Sequence, residues 1–157
     1  MPFLYLTILF TVLKDVCYII NFKLKDAVNE NIDLDINVSI PPALNIEVAD
    51  VVTILGNLLD NALDAVAKTE PKRIKLIIES DKGNIFITSE NTFDGVVEYA
   101  KETSEDKKRI VTRKGGNSHG YGLENIRKSV EKYNGHIDIS HDKNIFSVGI
   151  LLYVDEA

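Results

Sequence analysis

The sequence contains one cysteine, Cys17, and no tryptophan. A single cysteine excludes a framework of intramolecular disulfides and is typical of a reducing cytoplasm. We expect Cys17 to pack as a small buried hydrophobic residue. Basic residues are also few, because 18 Lys and Arg stand against 24 Asp and Glu and leave a net charge of −6. Nucleic-acid-binding domains carry a basic surface, so this composition argues against a nucleic acid as partner.

The chain also lacks a hydrophobic run long enough to cross a bilayer. Residues 1–13 are apolar for about a dozen positions, whereas a spanning helix needs about 20. The run has neither the basic start nor the small-residue cleavage site of a signal peptide. Residues 1–11 could extend the next helix, bind a partner or be the stump of a longer receptor, and we favour the stump. Residues 12–157 are long enough for one globular domain, which begins with an amphipathic helix over 12–29.

The most regular pattern in the chain is Asp50–Ala67, DVVTILGNLLDNALDAVA. Its apolar residues recur three and four positions apart, which predicts a helix with one face in the core. Asn57 and Asn61 interrupt the pattern and lie one turn apart on the helix. Because Asn is a mediocre helix former, two in line suggest a polar ligand, although a pair of solvated or internally satisfied amides would explain them equally well.

A second motif lies about sixty residues further on. Ser118–Leu123 reads SHGYGL and runs into ENIRKSVEKYNG, an amphipathic pattern that predicts another helix. A G-x-G turn at a helix start leaves backbone N–H groups open to a phosphate at the positive end of the helix dipole. Such a turn alone is weak evidence, but the asparagine helix and the glycine turn together are specific.

With both motifs in place, the chain resembles the GHKL superfamily of ATP-binding domains over about residues 21–155. More narrowly, it resembles the catalytic domain of sensor histidine kinases of the accessory-gene-regulator and citrate-sensor type. In that subfamily N-L-L-D-N-A is the N box and H-G-x-G-L is a glycine box. The resemblance implies the Bergerat fold, with ATP and Mg²⁺ as cofactors.

The remaining patterns predict about five strands and three long helices. They form a two-layer α/β sandwich with helices on one face of a mixed, mainly antiparallel sheet. Alternation predicts a strand over Asp33–Ile40, and turn residues predict two hairpins. We further expect a short helix at Gly95–Lys101 and a mobile loop at Ser104–Gly120. The hairpins comprise Arg73–Glu79 with Asn84–Thr88, and His136–Ser140 with Ile145–Val154.

The resemblance makes Asn61 the magnesium ligand and places Asn57 along the same phosphate channel. An amide oxygen suits Mg²⁺, which prefers oxygen ligands. The alternative for Asn57 is a hydrogen bond within the N box and no contact with ligand. GHKL ATPases have a glutamate general base at this position, and an amide cannot accept a proton. We therefore assign no certain catalytic residue, and Asn57 lies nearest the phosphate path.

The adenine end departs from the family pattern Asp-x-Gly-x-Gly. Continuing the alternation from Ile85 and Ile87 puts Asn91 at the position of the Asp, where its amide oxygen can accept a hydrogen bond from adenine N6. If this register is wrong, Ser89 or Glu90 takes that role. Gly95 is what remains of the glycine turn.

The loop before the second motif is expected to close over the nucleotide. Asp64 replaces a lysine that many histidine kinases carry, so Lys114 or Arg113 would neutralise phosphate, unless these cations are simply solvated. His119 belongs to the lid in this subfamily. We include in the nucleotide-binding set Lys114, His119, Gly120, Tyr121, Gly122 and Leu123.

The resemblance thus implies a histidine-kinase catalytic domain that presents the γ-phosphate of Mg-ATP to a histidine on a separate phosphoacceptor and dimerisation domain. The expected downstream partner is a response regulator, and the parent would be a dimeric membrane receptor with this soluble domain in the cytoplasm. Two other classes remain open. One is an anti-sigma-factor-type serine/threonine kinase, which usually has an acidic residue at position 57. The other is a nucleotide-independent interaction module.

Overall fold

The structure, a computed structural model, describes residues 11–41, 44–99, 110–111 and 121–154. Five strands form one sheet, two further strands form a small ribbon, and three helices pack with them. In chain order the elements are α1 (Thr11–Leu24), β1 (Asp33–Ser39), α2 (Val48–Val66), β2 (Arg73–Asp81), β3 (Asn84–Thr92), β4 (Glu98–Tyr99), β5 (Ile110–Val111), α3 (Gly122–Glu131), β6 (His136–Asp142) and β7 (Ile145–Tyr153).

The large sheet has the strand order β1-β2-β3-β7-β6. β1 and β2 run parallel, with Asp33 opposite Arg73, because α2 connects them as a crossover. The other three pairings are antiparallel, and two of them are hairpins. The mixed, mainly antiparallel α/β sandwich that the sequence predicts is therefore confirmed.

Both predicted hairpins are present, and their turns use left-handed backbone conformations. Lys82 and Gly83 have φ values of 47° and 76°, and Lys143 has a φ of 47°. Two consecutive residues of positive φ match the right-handed twist of the flanking strands. The strands of the first hairpin extend beyond the predicted ends at Glu79 and Thr88. β3 continues because it pairs with β2 and β7 as far as Asn91, which lies opposite Ile74 on β2 and Phe146 on β7.

The core lies between the helices and one face of the sheet. β2, β3 and β7 alternate along their length and bury one row of aliphatic side chains, including Leu76, Ile87 and Ile150. Ile54, Leu58 and Leu59 of α2 are buried over that row, as the apolar spacing of the N-box helix predicts. α1 and α3 pack on either side of α2. Cys17 is buried on α1, as expected.

Three predictions about local structure are wrong in the described residues. α1 ends at Leu24 rather than near 29, because residues 25–31 form turns and Asn31 has a φ of 56°. The helix predicted at Gly95–Lys101 is absent from 95–99, where Glu98–Tyr99 pairs with Ile110–Val111 as a two-stranded ribbon. The second of these strands also interrupts the predicted loop over 104–120, whose other residues lie outside the described ranges.

A buried carboxylate joins the start of α2 to the end of α3. Asp50 is 3% exposed and accepts hydrogen bonds from Lys132 Nζ at 2.8 Å and Tyr133 Oη at 2.7 Å. The Tyr133 hydroxyl in turn accepts a hydrogen bond from the backbone N–H of Glu47 at 3.0 Å. This chain of bonds ties two helices that are about eighty residues apart in sequence.

No helix within the described ranges combines the length and the apolar character that a bilayer crossing requires. Residues 1–10 lie outside those ranges. Their interpretation as a stump stays a prediction from the sequence.

Candidate functional site

A cleft opens where the last two turns of α2 face the end of β3 and the β4–β5 ribbon. It encloses about 620 Å³ of empty space, part of it open to solvent. Leu123 at the start of α3 and Phe146 on β7 complete its wall. The described residues that line it are Asn61, Asp64, Ala65, Lys68, Asn91, Phe93, Asp94, Val96, Val97, Glu98, Ile110, Leu123 and Phe146. Two of the three asparagines singled out from the sequence therefore meet here, although they are thirty residues apart.

Asn61, which lines this cleft, carries an unusual side-chain oxygen. Its Oδ1 is buried and has no hydrogen-bond partner among the described residues. An acceptor left in this state costs about 1–3 kcal/mol, so native proteins rarely retain one without a ligand, ion or water to satisfy it. The oxygen is also of the type that Mg²⁺ prefers. The residues present thus fit a magnesium ion at Asn61.

Asn57 lies one turn earlier on α2 but is not among the residues that line the described part of the cleft. Its Nδ2 donates a hydrogen bond to the carbonyl oxygen of Thr53 at 2.7 Å. This is the back-bonding that Asn can make within a helix. Its place on the phosphate path stays a prediction.

Asn91 lies on the inner row of β3, as the alternation predicts. The row changes from Ile85 and Ile87 to Ser89 and Asn91, which is 5% exposed. Asn91 Nδ2 donates to the carbonyl oxygen of Thr92 at 2.9 Å, so the amide oxygen is the atom that remains to accept a bond. Glu90 lies on the opposite face of the sheet, where its Oε2 is 3.9 Å from Nζ of Lys75 on the neighbouring strand β2.

A phenylalanine, Phe93, occupies the position at which the family pattern has its first glycine. Phe93 is two residues after Asn91, is buried, and packs edge-on against Phe146 with the ring centroids 5.8 Å apart. Its backbone N–H donates to the carbonyl oxygen of Asn144 at 2.9 Å. Gly95 follows with a φ of 81°, which is consistent with a remnant of the glycine turn. His141 also packs against Phe93, in keeping with a structural role.

Among the charged residues of the described cleft wall, Asp64 is anticipated from the sequence, whereas Lys68, Asp94 and Glu98 are not. Asp64 lies three positions after Asn61 on α2, so helical periodicity places the two side chains near each other. Lys68 lies beyond the end of α2 at Val66, so periodicity does not predict its place in the cleft. Glu98 lies within Gly95–Lys101, where the sequence predicts a helix, and Asp94 directly precedes that segment. The described wall therefore carries three carboxylates and one ammonium group.

The glycine motif is only partly described. Gly122 begins α3 and is buried, Leu123 lines the cleft, and Tyr121 is exposed in front of them. Arg127 of α3 donates to the carbonyl oxygen of Ile110 at 3.2 Å and so holds the β5 strand at the cleft. Lys114, His119 and Gly120 lie outside the described residues.

Comparison with known proteins assigns the class. The family model described as the GHKL domain matches residues 46–153, which is more than half of the chain. The chain therefore belongs to the GHKL domain family, as its N box and glycine box indicate.

The individual relatives include a sensor protein and a probable sensor kinase. The sensor protein CitS of Bacillus subtilis is 31% identical over 135 residues, which covers 82% of this chain and 23% of CitS. A probable C4-dicarboxylate sensor kinase of the same organism is 32% identical over 92 residues, which covers 57% of this chain and 17% of that protein. The chain thus spans less than a quarter of the length of either relative.

Solved structures support the same fold. The catalytic domain of the histidine kinase ThkA has a TM-score of 0.67 at 17% identity, covering 94% of this chain and 97% of that one. The mycobacterial sensor histidine kinase MprB has a TM-score of 0.66 at 13% identity, covering 92% and 96%. The predicted fold class and family are confirmed.

Proposed function

We propose that this chain is the ATP-binding catalytic domain of a sensor histidine kinase. It would hold Mg-ATP in the cleft and present the γ-phosphate to a histidine on a separate phosphoacceptor and dimerisation domain. The observation that carries the proposal is that Asn61, a residue of the cleft wall, has a buried Oδ1 with no partner among the residues that the structure describes. Membership of the GHKL family and the likeness to sensor kinases support it.

Asn61 would hold the metal through this oxygen. A magnesium ion, when bound, neutralises phosphate charge. The packing of α2 against the sheet fixes the backbone of Asn61, because its neighbours Leu58, Leu59 and Ala62 are fully buried. The attachment point of the side chain is therefore in place before the ligand arrives, which reduces the entropy that binding must offset.

Asn91 would select the base. Its amide oxygen can accept a hydrogen bond from an exocyclic amino group such as adenine N6, while the Thr92 carbonyl holds its amide nitrogen. A guanine would present a carbonyl oxygen at the same place and leave two acceptors facing each other. We therefore propose adenine as the preferred base.

Transfer to a protein acceptor is favoured over ATP hydrolysis. Position 57 is an asparagine whose Nδ2 bonds to the Thr53 carbonyl, and an amide cannot act as general base toward water. The domain would contribute positioning and charge neutralisation to in-line phosphoryl transfer. Lys114, His119, Gly120, Tyr121 and Gly122 stay in the proposed nucleotide site on sequence grounds.

The parent protein would supply the other components of the pathway. CitS is a sensor protein, and this chain corresponds to 23% of its length. We propose a dimeric membrane receptor with this domain on the cytoplasmic side and a response regulator as the downstream partner. Residues 12–157 would be the catalytic domain, and residues 1–11 stay assigned to the stump by sequence.

Calorimetric titration with a non-hydrolysable ATP analogue tests the proposal. We expect binding that depends on Mg²⁺, and we expect Asn61→Ala to weaken it by about tenfold or more, since one ligand of the ion and the fixed acceptor are lost. Asn37→Ala is the matched control, because Asn37 is exposed on β1, far from the cleft in the sheet order.

Two results would contradict the proposal. One is a folded parent chain that binds no nucleotide with Mg²⁺ present. The other is an Asn61→Ala variant that binds as tightly as Asn37→Ala.

A further inference from the structure

An ion pair joins α1 to the N box beside the proposed magnesium ligand. Lys23 Nζ lies 2.8 and 2.9 Å from the two carboxylate oxygens of Asp60, so both oxygens are engaged. The Lys23 side chain is 24% exposed and the Asp60 side chain is 41% exposed. The Lys23 stem passes α2 where Gly56 has no side chain, with Cε 3.8 Å from the position that a Cβ would take.

The position of Asp60 on α2 makes this charge relevant to the site. Asp60 directly precedes Asn61 and lies one helical turn after Asn57, so it borders the line of asparagines along which phosphate is proposed to lie. The described wall of the cleft already carries carboxylates on Asp64, Asp94 and Glu98. A further negative charge here, if nothing neutralised it, would repel a polyphosphate.

We propose that Lys23 is a positioning residue for the nucleotide, which acts by neutralising Asp60. Its ammonium group removes a negative charge from the edge of the phosphate path and leaves the amide of Asn61 as the group that meets the metal. The inference rests on the proposed function. It assigns to α1, an element outside both sequence motifs, a part in accepting an anionic ligand.

A stabilising role alone would have a different signature. Ion pairs that are this exposed contribute little to the free energy of folding. If the pair only held α1 on α2, removal of either partner would have the same small effect on stability and on nucleotide affinity. The electrostatic role predicts opposite effects of the two partners on nucleotide affinity. Removal of Lys23 leaves a bare anion, whereas removal of the Asp60 charge leaves a cation.

The experiment compares two ligands on four variants of the full chain. Calorimetry with Mg²⁺ and the ATP analogue is run beside adenosine, which has the base but no charge. The variants are Lys23→Met, Asp60→Asn, the double variant and Lys25→Met. Met keeps most of the Lys23 stem over Gly56. Lys25→Met makes the same change in net charge at an exposed residue near Phe22 of α1, so it is the matched control.

We expect Lys23→Met to weaken the ATP analogue by about three- to tenfold, as for an uncompensated charge near a multivalent anion, with adenosine affinity unchanged. Asp60→Asn should bind the analogue as tightly as the parent or up to about threefold tighter, and should restore binding when combined with Lys23→Met. Lys25→Met should match the parent. Urea unfolding of each variant confirms that the proteins compared are folded.

Three results overturn the inference. If Lys23→Met lowers the affinity for both ligands equally, Lys23 has a structural role. If Lys23→Met binds the analogue with the same affinity as Lys25→Met, Lys23 has no role near the phosphate. If Asp60→Asn lowers the affinity for the analogue as much as Lys23→Met does, charge neutralisation is contradicted. Absence of analogue binding by the folded parent overturns the proposed function itself, so the two failures are distinguishable.

Discussion

The buried carboxylate of Asp50 offers the sharpest test of how this fold is held together. We consider Asp50→Asn, which keeps the shape of the side chain and one acceptor oxygen but removes the charge. In the parent, Lys132, Tyr133 and Ser129 surround this carboxylate on α3 and the turn that follows. Lys132 and Tyr133 each donate a hydrogen bond to the carboxylate, and Ser129 lowers its pKa further.

The magnitude follows from those bonds. Hydrogen bonds to a charged, buried acceptor contribute about 1.5–3 kcal/mol each, roughly twice the value of neutral ones. The amide retains a weaker bond with the Tyr133 hydroxyl, and the exposed Lys132 loses its partner with little consequence. We expect Asp50→Asn to lower the free energy of unfolding by about 2 kcal/mol at pH 7, and Asp50→Ala by about 3 kcal/mol.

The pH dependence gives a second signature. Burial raises the pKa of Asp50, but hydrogen bonds from Lys132, Tyr133 and Ser129, together with the Lys132 charge, lower the pKa below its ordinary value. A folded-state pKa below the unfolded one means that the carboxylate stabilises the fold above about pH 4 and loses this effect as the pH falls through the folded-state pKa. The parent and Asp50→Asn should therefore converge in acid.

Urea unfolding followed by circular dichroism between pH 3 and 8 measures both effects. Asp35→Asn, at an exposed residue of β1, controls for the loss of one acidic group. A difference below about 0.5 kcal/mol at pH 7, or a difference that does not shrink in acid, would show that the charged bonds of Asp50 do not stabilise the helix pair.

Three other predictions concern separate features. Burial and the Asp50 bond raise the pKa of Tyr133 to about 12, so the protonated hydroxyl stabilises the fold below about pH 10. Stability should therefore fall as the pH rises from 10 to 12 in the parent, and fall less in Tyr133→Phe, as measured by alkaline unfolding midpoints. Gly135→Ala should lower the free energy of unfolding in urea by about 2–4 kcal/mol, because its Cβ would lie 2.3 Å from the Leu151 carbonyl oxygen. The Cβ of Gly149→Ala would have nothing within 4 Å, so this variant should be as stable as the parent, and equal effects of the two variants would contradict the prediction. Asn91→Leu should weaken the ATP analogue by about tenfold in calorimetry while Asn91→Asp retains binding, and loss in both variants would argue against an acceptor role.

Features that depend on local periodicity could be predicted from the residues alone. The spacing of apolar residues in α2 placed Asn57 and Asn61 on one line and the intervening leucines in the core, since a helix repeats every 3.6 residues. Strand alternation placed Asn91 on the buried row of β3, because side chains of a strand alternate strictly between faces. The turn residues around Gly83 likewise predicted a hairpin. Each of these inferences needs only a short window of chain.

Tertiary structure alone decided which distant groups meet. Nothing in the sequence pairs Lys23 with Asp60, Asp50 with Tyr133, or Phe93 with Phe146, because those contacts depend on how helices and strands pack after they form. The same holds for the end of α1 and for the β4–β5 ribbon. A two-residue strand has no periodicity to detect, and it forms only because its partner, itself held by Arg127, lies beside it. The Asn61 oxygen, which has no hydrogen-bond partner in the described part of the chain, belongs to this class as well, since its burial depends on packing and not on the residue type.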